Sequence, residues 1–150
     1  MISFTRTDSK HPGFRDLVAL LNEDLRIRDG DEHSFYSQFN KIENIHHVIV
    51  FFIDDKPIGC GAFKKYDEQK AEIKRMFVLP EYRGQDIGLQ ILKELELWAL
   101  ESNYAVCILE TGKKQPEAIR LYQKAGYVLI KNYGQYENME NSVCMEKSIL

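Results

Sequence analysis

Apolar and polar positions change period several times along the chain, and those changes mark its elements. Ile2 to Thr5 alternates like a short strand. From Gly13 to Arg28 the residues Phe14, Leu17, Val18, Leu21 and Leu25 recur at spacings of three and four, the single apolar face of an amphipathic helix that Gly30 ends. A weaker helical pattern follows from Glu32 to Ile42 on Phe35, Phe39 and Ile42. His47 to Ile53 is a continuous β-branched and aromatic run, which predicts a strand covered on both faces. Asp54 to Pro57 makes a turn into Ile58 to Lys64, Tyr66 to Lys70 a second turn, and Ala71 to Leu79 a third antiparallel strand. Helical spacing returns from Gly88 to Ser102 through Ile91, Leu92, Leu95, Trp98 and Ala99. Tyr104 to Leu109 reads as a strand, and a compact helix lies between Pro116 and Gly126. Two short runs, Tyr127 to Ile130 and Ser142 to Met145, predict a terminal hairpin. The order predicts an α/β domain with a mixed sheet.

Composition narrows what such a domain does. With 150 residues, 44% hydrophobic and 29% charged, the chain fits one domain over residues 1–150 with a sizeable core. A formal net charge of −3 supplies no basic field, so no nucleic-acid partner is expected. The longest apolar run, Val48 to Ile53, is too short to span a bilayer, and the first residues do not read as a secretion signal. No membrane association is expected. Cys60, Cys107 and Cys144 are odd in number and far apart, which suggests buried thiols in the cytoplasm rather than a disulfide framework. His46 and His47 are adjacent on a strand, so they point to opposite faces, and no metal site is expected.

The chemistry concentrates in VLPEYRGQDIGL, Val78 to Leu89. A strand, a polar loop and a helix opening at Ile87 and Gly88 present free backbone N–H groups at a helix N-terminus, which favours an anion. Gly84 and Gly88 suggest left-handed dihedrals and close approach, and Arg83 adds a charged donor. On this segment alone, an ordinary helix entry remains an alternative. The Walker pattern and the three-glycine dinucleotide fingerprint are both missing.

The run Met76 to Leu89, MFVLPEYRGQDIGL, resembles the acetyl-CoA-binding motif of the Gcn5-related N-acetyltransferase (GNAT) family, with Arg83 and Gly88 in the signature positions. QPEAIRLYQKAGY resembles the family's later motif, and the likeness covers nearly the whole chain. It implies a mixed, mostly antiparallel central sheet of about seven strands flanked by four helices, with a splayed strand pair for coenzyme A. It implies acetyl-CoA as cosubstrate, with Met76, Phe77 and Val78 along the pantetheine arm, Arg83, Gly84, Gln85, Asp86, Ile87, Gly88 and Leu89 around the pyrophosphate, and Gln115 and Tyr122 beside the cofactor. Two positions depart from the pattern: Asp86 stands where the family's first glycine does, and Gln115 replaces an asparagine.

Acetyl transfer to a primary amine of a small molecule or peptide needs the neutral amine, and an alkylamine with a pKa near ~10.4 is protonated at neutral pH. The resemblance implies Glu72 as general base and Tyr122 as the acid that protonates the departing thiolate. A solvent-facing strand glutamate and a core aromatic are the alternative readings. For the acceptor the family's first helices imply Asp29, His33 and Tyr36, with Asp31, Glu32, Tyr133 and Tyr136 as further candidates. The family also leaves room for a homodimer. A catalytically silent acetyl-CoA-binding module is the competing function.

Overall fold

A computed structural model describes residues 1–32 and 44–150. Seven strands form one sheet: β1 (Ile2–Thr7), β2 (His47–Ile53), β3 (Lys56–Lys65), β4 (Lys70–Val78), β5 (Val106–Gly112), β6 (Val128–Ile130) and β7 (Ser142–Ser148). Their spatial order is β1-β2-β3-β4-β5-β7-β6, and every pairing is antiparallel except β4 with β5. Among the described residues there are three α-helices, not four: α1 (Pro12–Asp29), α2 (Ile87–Glu101) and α3 (Pro116–Lys124). The helix expected over Glu32 to Ile42 falls almost wholly outside the described residues, preceded by a 3-10 turn, Gly30–Glu32.

Local chemistry accounts for the boundaries. Pro12 opens α1 at the position where its missing N–H costs nothing, and His11 Nδ1 accepts the Gly13 N–H at 3.0 Å as the cap. Asp54 and Asp55, at φ 47 and 69, form the two-residue turn that suits the twist of β2 and β3. Gly126, at φ 101, follows α3 in the left-handed region. The two sheet faces are covered by different helices: Phe14, Leu17 and Val18 of α1, and Ile91, Leu92 and Leu95 of α2, are all fully or almost fully buried. A Cβ on Gly61 would stand 2.7 Å from Leu95 and 2.9 Å from Ile91, so β3 and α2 are in direct backbone-to-side-chain contact.

Two irregularities shape the middle of the sheet. Cys60 pairs with Phe77 and Ala62 with Lys74, so Arg75 and Met76 together stand opposite Gly61 in a β-bulge. Arg75 takes φ 60, a left-handed conformation that costs a non-glycine residue about 1–2 kcal/mol. Its carbonyl accepts the Cys60 thiol at 3.3 Å. The second irregularity is that the β4–β5 ladder runs only through Lys70↔Val106, Ala71↔Cys107 and Glu72↔Ile108. Beyond that rung β4 continues to Val78 and β5 to Gly112 without pairing to each other, which opens a split in the sheet.

β5 also ends later than its apolar run predicts. Glu110, Thr111 and Gly112 stay in the strand because β7 pairs with them at Cys144, Val143 and Ser142.

Candidate active site

The bulge and the split together make room for two adjoining cavities. The larger, about 290 Å³, runs along the end of β4 (Met76, Phe77, Val78), under the loop (Arg83, Gly84, Asp86) and against the start of α2 and the face of α3 carrying Ala118 and Leu121. The smaller, about 90 Å³, opens where β4 and β5 part, among Asp29, Glu72, Lys74, Glu110 and Tyr136. Leu21, Met76, Gln115 and Tyr122 line both, and they form the neck between the chambers.

At the far end of the larger chamber the first intrahelical bond of α2 is from Gln90 N–H to the Asp86 carbonyl, at 3.0 Å. The amides of Ile87, Gly88 and Leu89 precede it, and no side chain caps the helix. The dihedrals correct one expectation. Left-handed backbone occurs at Gly84 (φ 81) and at Asp86 (φ 63), not at Gly88. Gly88 serves packing instead: a Cβ there would lie 3.2 Å from Leu121 of α3. Aspartate tolerates the left-handed region better than most residues, so the loop closes without a second glycine. Its carboxylate turns outward and pairs with Lys124 Nζ at 3.0 Å.

Arg83 does not reach toward the amides. Its Nε donates to the Val78 carbonyl at 2.8 Å and its guanidinium lies 5.3 Å from the Phe77 ring centroid, so it folds back over the end of β4. Gln85 is exposed and lines neither cavity. Gln115 is the N-cap residue of α3 but makes no side-chain cap bond, and its amide lies beside Gly112. These donors and the apolar chamber match a phosphorylated ligand with a long, neutral arm.

Tyr122 stands in the neck, 7% exposed. Burial, and then the charge of Glu110, push its phenol above the ordinary tyrosine range, so it stays protonated through neutral pH. Glu72 is 5% exposed and its Oε2 accepts the Tyr133 hydroxyl at 2.7 Å. Tyr133 in turn meets Tyr66 and Tyr136 edge to face at 5.1 and 5.9 Å. Its own phenol is pushed up by burial and by the charge and hydrogen bond of Glu72. Asp29 ends α1 as a buried carboxylate in the wall of the smaller chamber. His33 and Tyr36 lie outside the described residues.

Sequence reading did not single out Glu110 or the bulge at Arg75. Glu110 was legible as an ionisable residue closing the apolar run VCIL, although the run itself predicts the strand to stop at Leu109. Nothing local marks Arg75, whose left-handed backbone follows from the pairing of β4 with β3. Among the described residues no cluster of three or more His, Cys, Asp or Glu side chains could hold a metal ion. No helix among them is long and apolar enough to cross a membrane.

The model of the acetyltransferase (GNAT) family matches residues 14–127. A protein of Azospirillum brasilense named IAA acetyltransferase is 38% identical over 93 residues, and the chain spans only 61% of its length. An uncharacterized N-acetyltransferase of Bacillus subtilis, YsnE, is 30% identical over 149 residues, covering 90% of this chain and 93% of that one. Among solved structures, one from Klebsiella pneumoniae assigned as an acyl-CoA N-acyltransferase superposes with a TM-score of 0.82 at 28% identity, over 100% of this chain and 99% of that one. The split sheet, the uncapped helix behind Arg83 and these likenesses agree: the chain belongs to the acetyltransferase (GNAT) family.

Proposed function

We propose that the protein moves an acetyl group from acetyl-CoA to a primary amine of a small molecule or peptide, by direct attack within a ternary complex. The observation that carries this reading is the neck: Leu21, Met76, Gln115 and Tyr122 join an apolar chamber ending on uncapped helix amides to a small chamber walled by carboxylates. A thioester held in the neck has its phosphates at one end and faces an ammonium at the other. The backbone of Met76, Phe77 and Val78 follows the pantetheine arm, and the amides from Gly84 to Leu89 meet the pyrophosphate. An N–H of the bulged strand stabilises the thioester oxygen as charge develops on it.

The carboxylate wall, to which Glu72 belongs, accepts the ammonium proton, and Tyr122 donates to the departing thiolate. Asp29 faces the acceptor. Direct attack, rather than an acylated cysteine, is favoured because burial pushes the Cys60 and Cys107 thiols up to about 12 and Cys144 to about 11, and none of the three lines either chamber. Three buried free thiols also fit the cytoplasm.

Free CoA released from acetyl-CoA, followed against a panel of amines, tests the reading. Turnover with at least one primary amine is expected. Tight acetyl-CoA binding with no turnover for any amine would replace it with the silent binding module.

A further inference from the structure

The split between β4 and β5 presents two carboxylates in different surroundings. Glu72 stands on the last paired rung, opposite Ile108, and is already engaged by Tyr133. Glu110 lies two residues beyond Ile108 on β5. Alternation along the strand puts it on the same face as Glu72, but at the level where β4 has turned away. It lines the smaller chamber together with Gln115 and Tyr122, two of the neck residues. Its charge adds to the burial that raises the Tyr122 phenol. Both carboxylates line this chamber with Gln115 and Tyr122, and Glu110 is the one that lies beyond the last β4–β5 rung, in the open part of the split.

We infer that Glu110 is the side chain that takes the proton from the acceptor ammonium, and that Glu72, tied to Tyr133, is a positioning residue that acts through it. The inference rests on the acetyl-transfer reading above. An ammonium N–H bond breaks, its proton goes to a Glu110 carboxylate oxygen, and the freed nitrogen lone pair forms the C–N bond at the thioester carbon. The C–S bond then breaks with its electron pair on sulfur. The thiolate takes the Tyr122 hydroxyl proton, Tyr122 recovers a proton from the newly acylated nitrogen, and Glu110 later releases its own to water. The products are the amide, free CoA and one proton in solution.

The groups facing Glu110 come from every element around it: Glu72 and Lys74 of β4, Asp29 of α1, Tyr122 of α3, Ser142 and Cys144 of β7, and Tyr136 of the loop before β7. Burial raises its pKa most. The Ser142 hydrogen bond and the Lys74 charge oppose that, the Asp29 and Glu72 charges add to it, and the result is pushed up to about 7. A carboxylate so poised is both available and basic near neutral pH. Glu72 thus raises the proton affinity of its neighbour, while its own oxygen is occupied by Tyr133.

The test is the pH profile of kcat/KM with the best amine of the panel, for wild type, Glu110→Gln, Glu110→Asp and Glu72→Gln. Wild type should show an acidic limb near neutrality. Glu110→Gln should lower kcat by about 100-fold or more and lose that limb, Glu110→Asp should keep the limb at reduced kcat, and Glu72→Gln should keep it but move it to lower pH. A limb that survives in Glu110→Gln with kcat within about threefold of wild type, or that disappears only in Glu72→Gln, overturns the assignment.

A second readout is independent of turnover. The side-chain carboxyls are labelled with carbon-13, and the NMR signal missing from Glu110→Gln should titrate near neutrality in wild type and lower in Glu72→Gln. If that signal titrates in the ordinary glutamate range, the inference about Glu110 fails whether or not any amine is acetylated. If it titrates as expected and no amine turns over, the fault lies in the acetyl-transfer reading, and the base assignment falls with it.

Discussion

Lys124, at the last turn of α3, holds the Asp86 carboxylate at 3.0 Å, and Asp86 is the left-handed residue that opens α2. The pair settles where the loop's unexpected carboxylate goes. It leans away from the helix amides and onto a cation, so the amides at that end of the larger chamber stay free of it. Both side chains are more than half exposed, so the pair contributes little to folding, and its consequence is electrostatic. Lys124→Ala should weaken acetyl-CoA several-fold at low salt by leaving Asp86 unneutralised, with a smaller effect at high salt. Asp86→Gly combined with Lys124→Ala should recover most of that loss. Calorimetric titration of the single and double variants reads the coupling directly.

Gly84 and Gly88 should respond differently to alanine. At Gly84 there is open space for a Cβ but φ is 81, so Gly84→Ala should cost about 1–2 kcal/mol through backbone strain alone. At Gly88 the backbone is helical and the obstacle is Leu121 at 3.2 Å. Gly88→Ala should therefore be rescued in part by shortening Leu121, and Gly84→Ala should not. Urea unfolding of these variants separates the two causes.

Arg83 covers the Val78 carbonyl, a group that borders the larger chamber. If the guanidinium both guards this carbonyl and supplies charge to the phosphates, Arg83→Lys should restore little, because lysine has no Nε–H fork and stacks poorly on Phe77. The expected outcome is a weakening of acetyl-CoA by about tenfold in Arg83→Ala, with Arg83→Lys closer to alanine than to wild type. Equilibrium binding at fixed ionic strength is the measurement.

On the proposed role of Tyr122 as proton donor, Tyr122→Phe should lower kcat by about 10- to 1000-fold while leaving acetyl-CoA affinity within about twofold, since the ring keeps its packing and only the hydroxyl is lost. Single-turnover kinetics and binding on the same variant distinguish this from a packing role, in which affinity and stability would fall together.

Stability should also report Glu110. Its folded pKa is raised to about 7, whereas an unfolded glutamate titrates near ~4.3, so between those values the folded state binds more protons than the unfolded one. Stability therefore falls as pH rises through that window and levels off above it, by at most about 3–4 kcal/mol. Glu110→Gln should flatten this segment of the curve, raising the melting temperature at pH 8 relative to wild type much more than at pH 4.

Most elements were legible because their signals are local. The spacing of Phe14, Leu17, Val18, Leu21 and Leu25 specifies α1, and Pro12, Pro116 and Gly126 bound helices where steric rules require. The family resemblance carried by Arg83, Gly88 and the segment around Tyr122 was likewise contained in short runs. What only tertiary structure decided is everything that depends on one strand's neighbour. The bulge at Arg75 exists because β4 carries one more residue than β3 between two pairings. The split exists because β4 and β5 stop pairing at Glu72, and Glu110 belongs to the strand because β7 pairs with it there. Pairing partners lie tens of residues apart, and no periodicity within a strand records which backbone will satisfy its N–H and C=O groups. That is why the sequence alone could nominate Glu72, while the second carboxylate and its place beside Tyr122 emerged only from the assembled sheet.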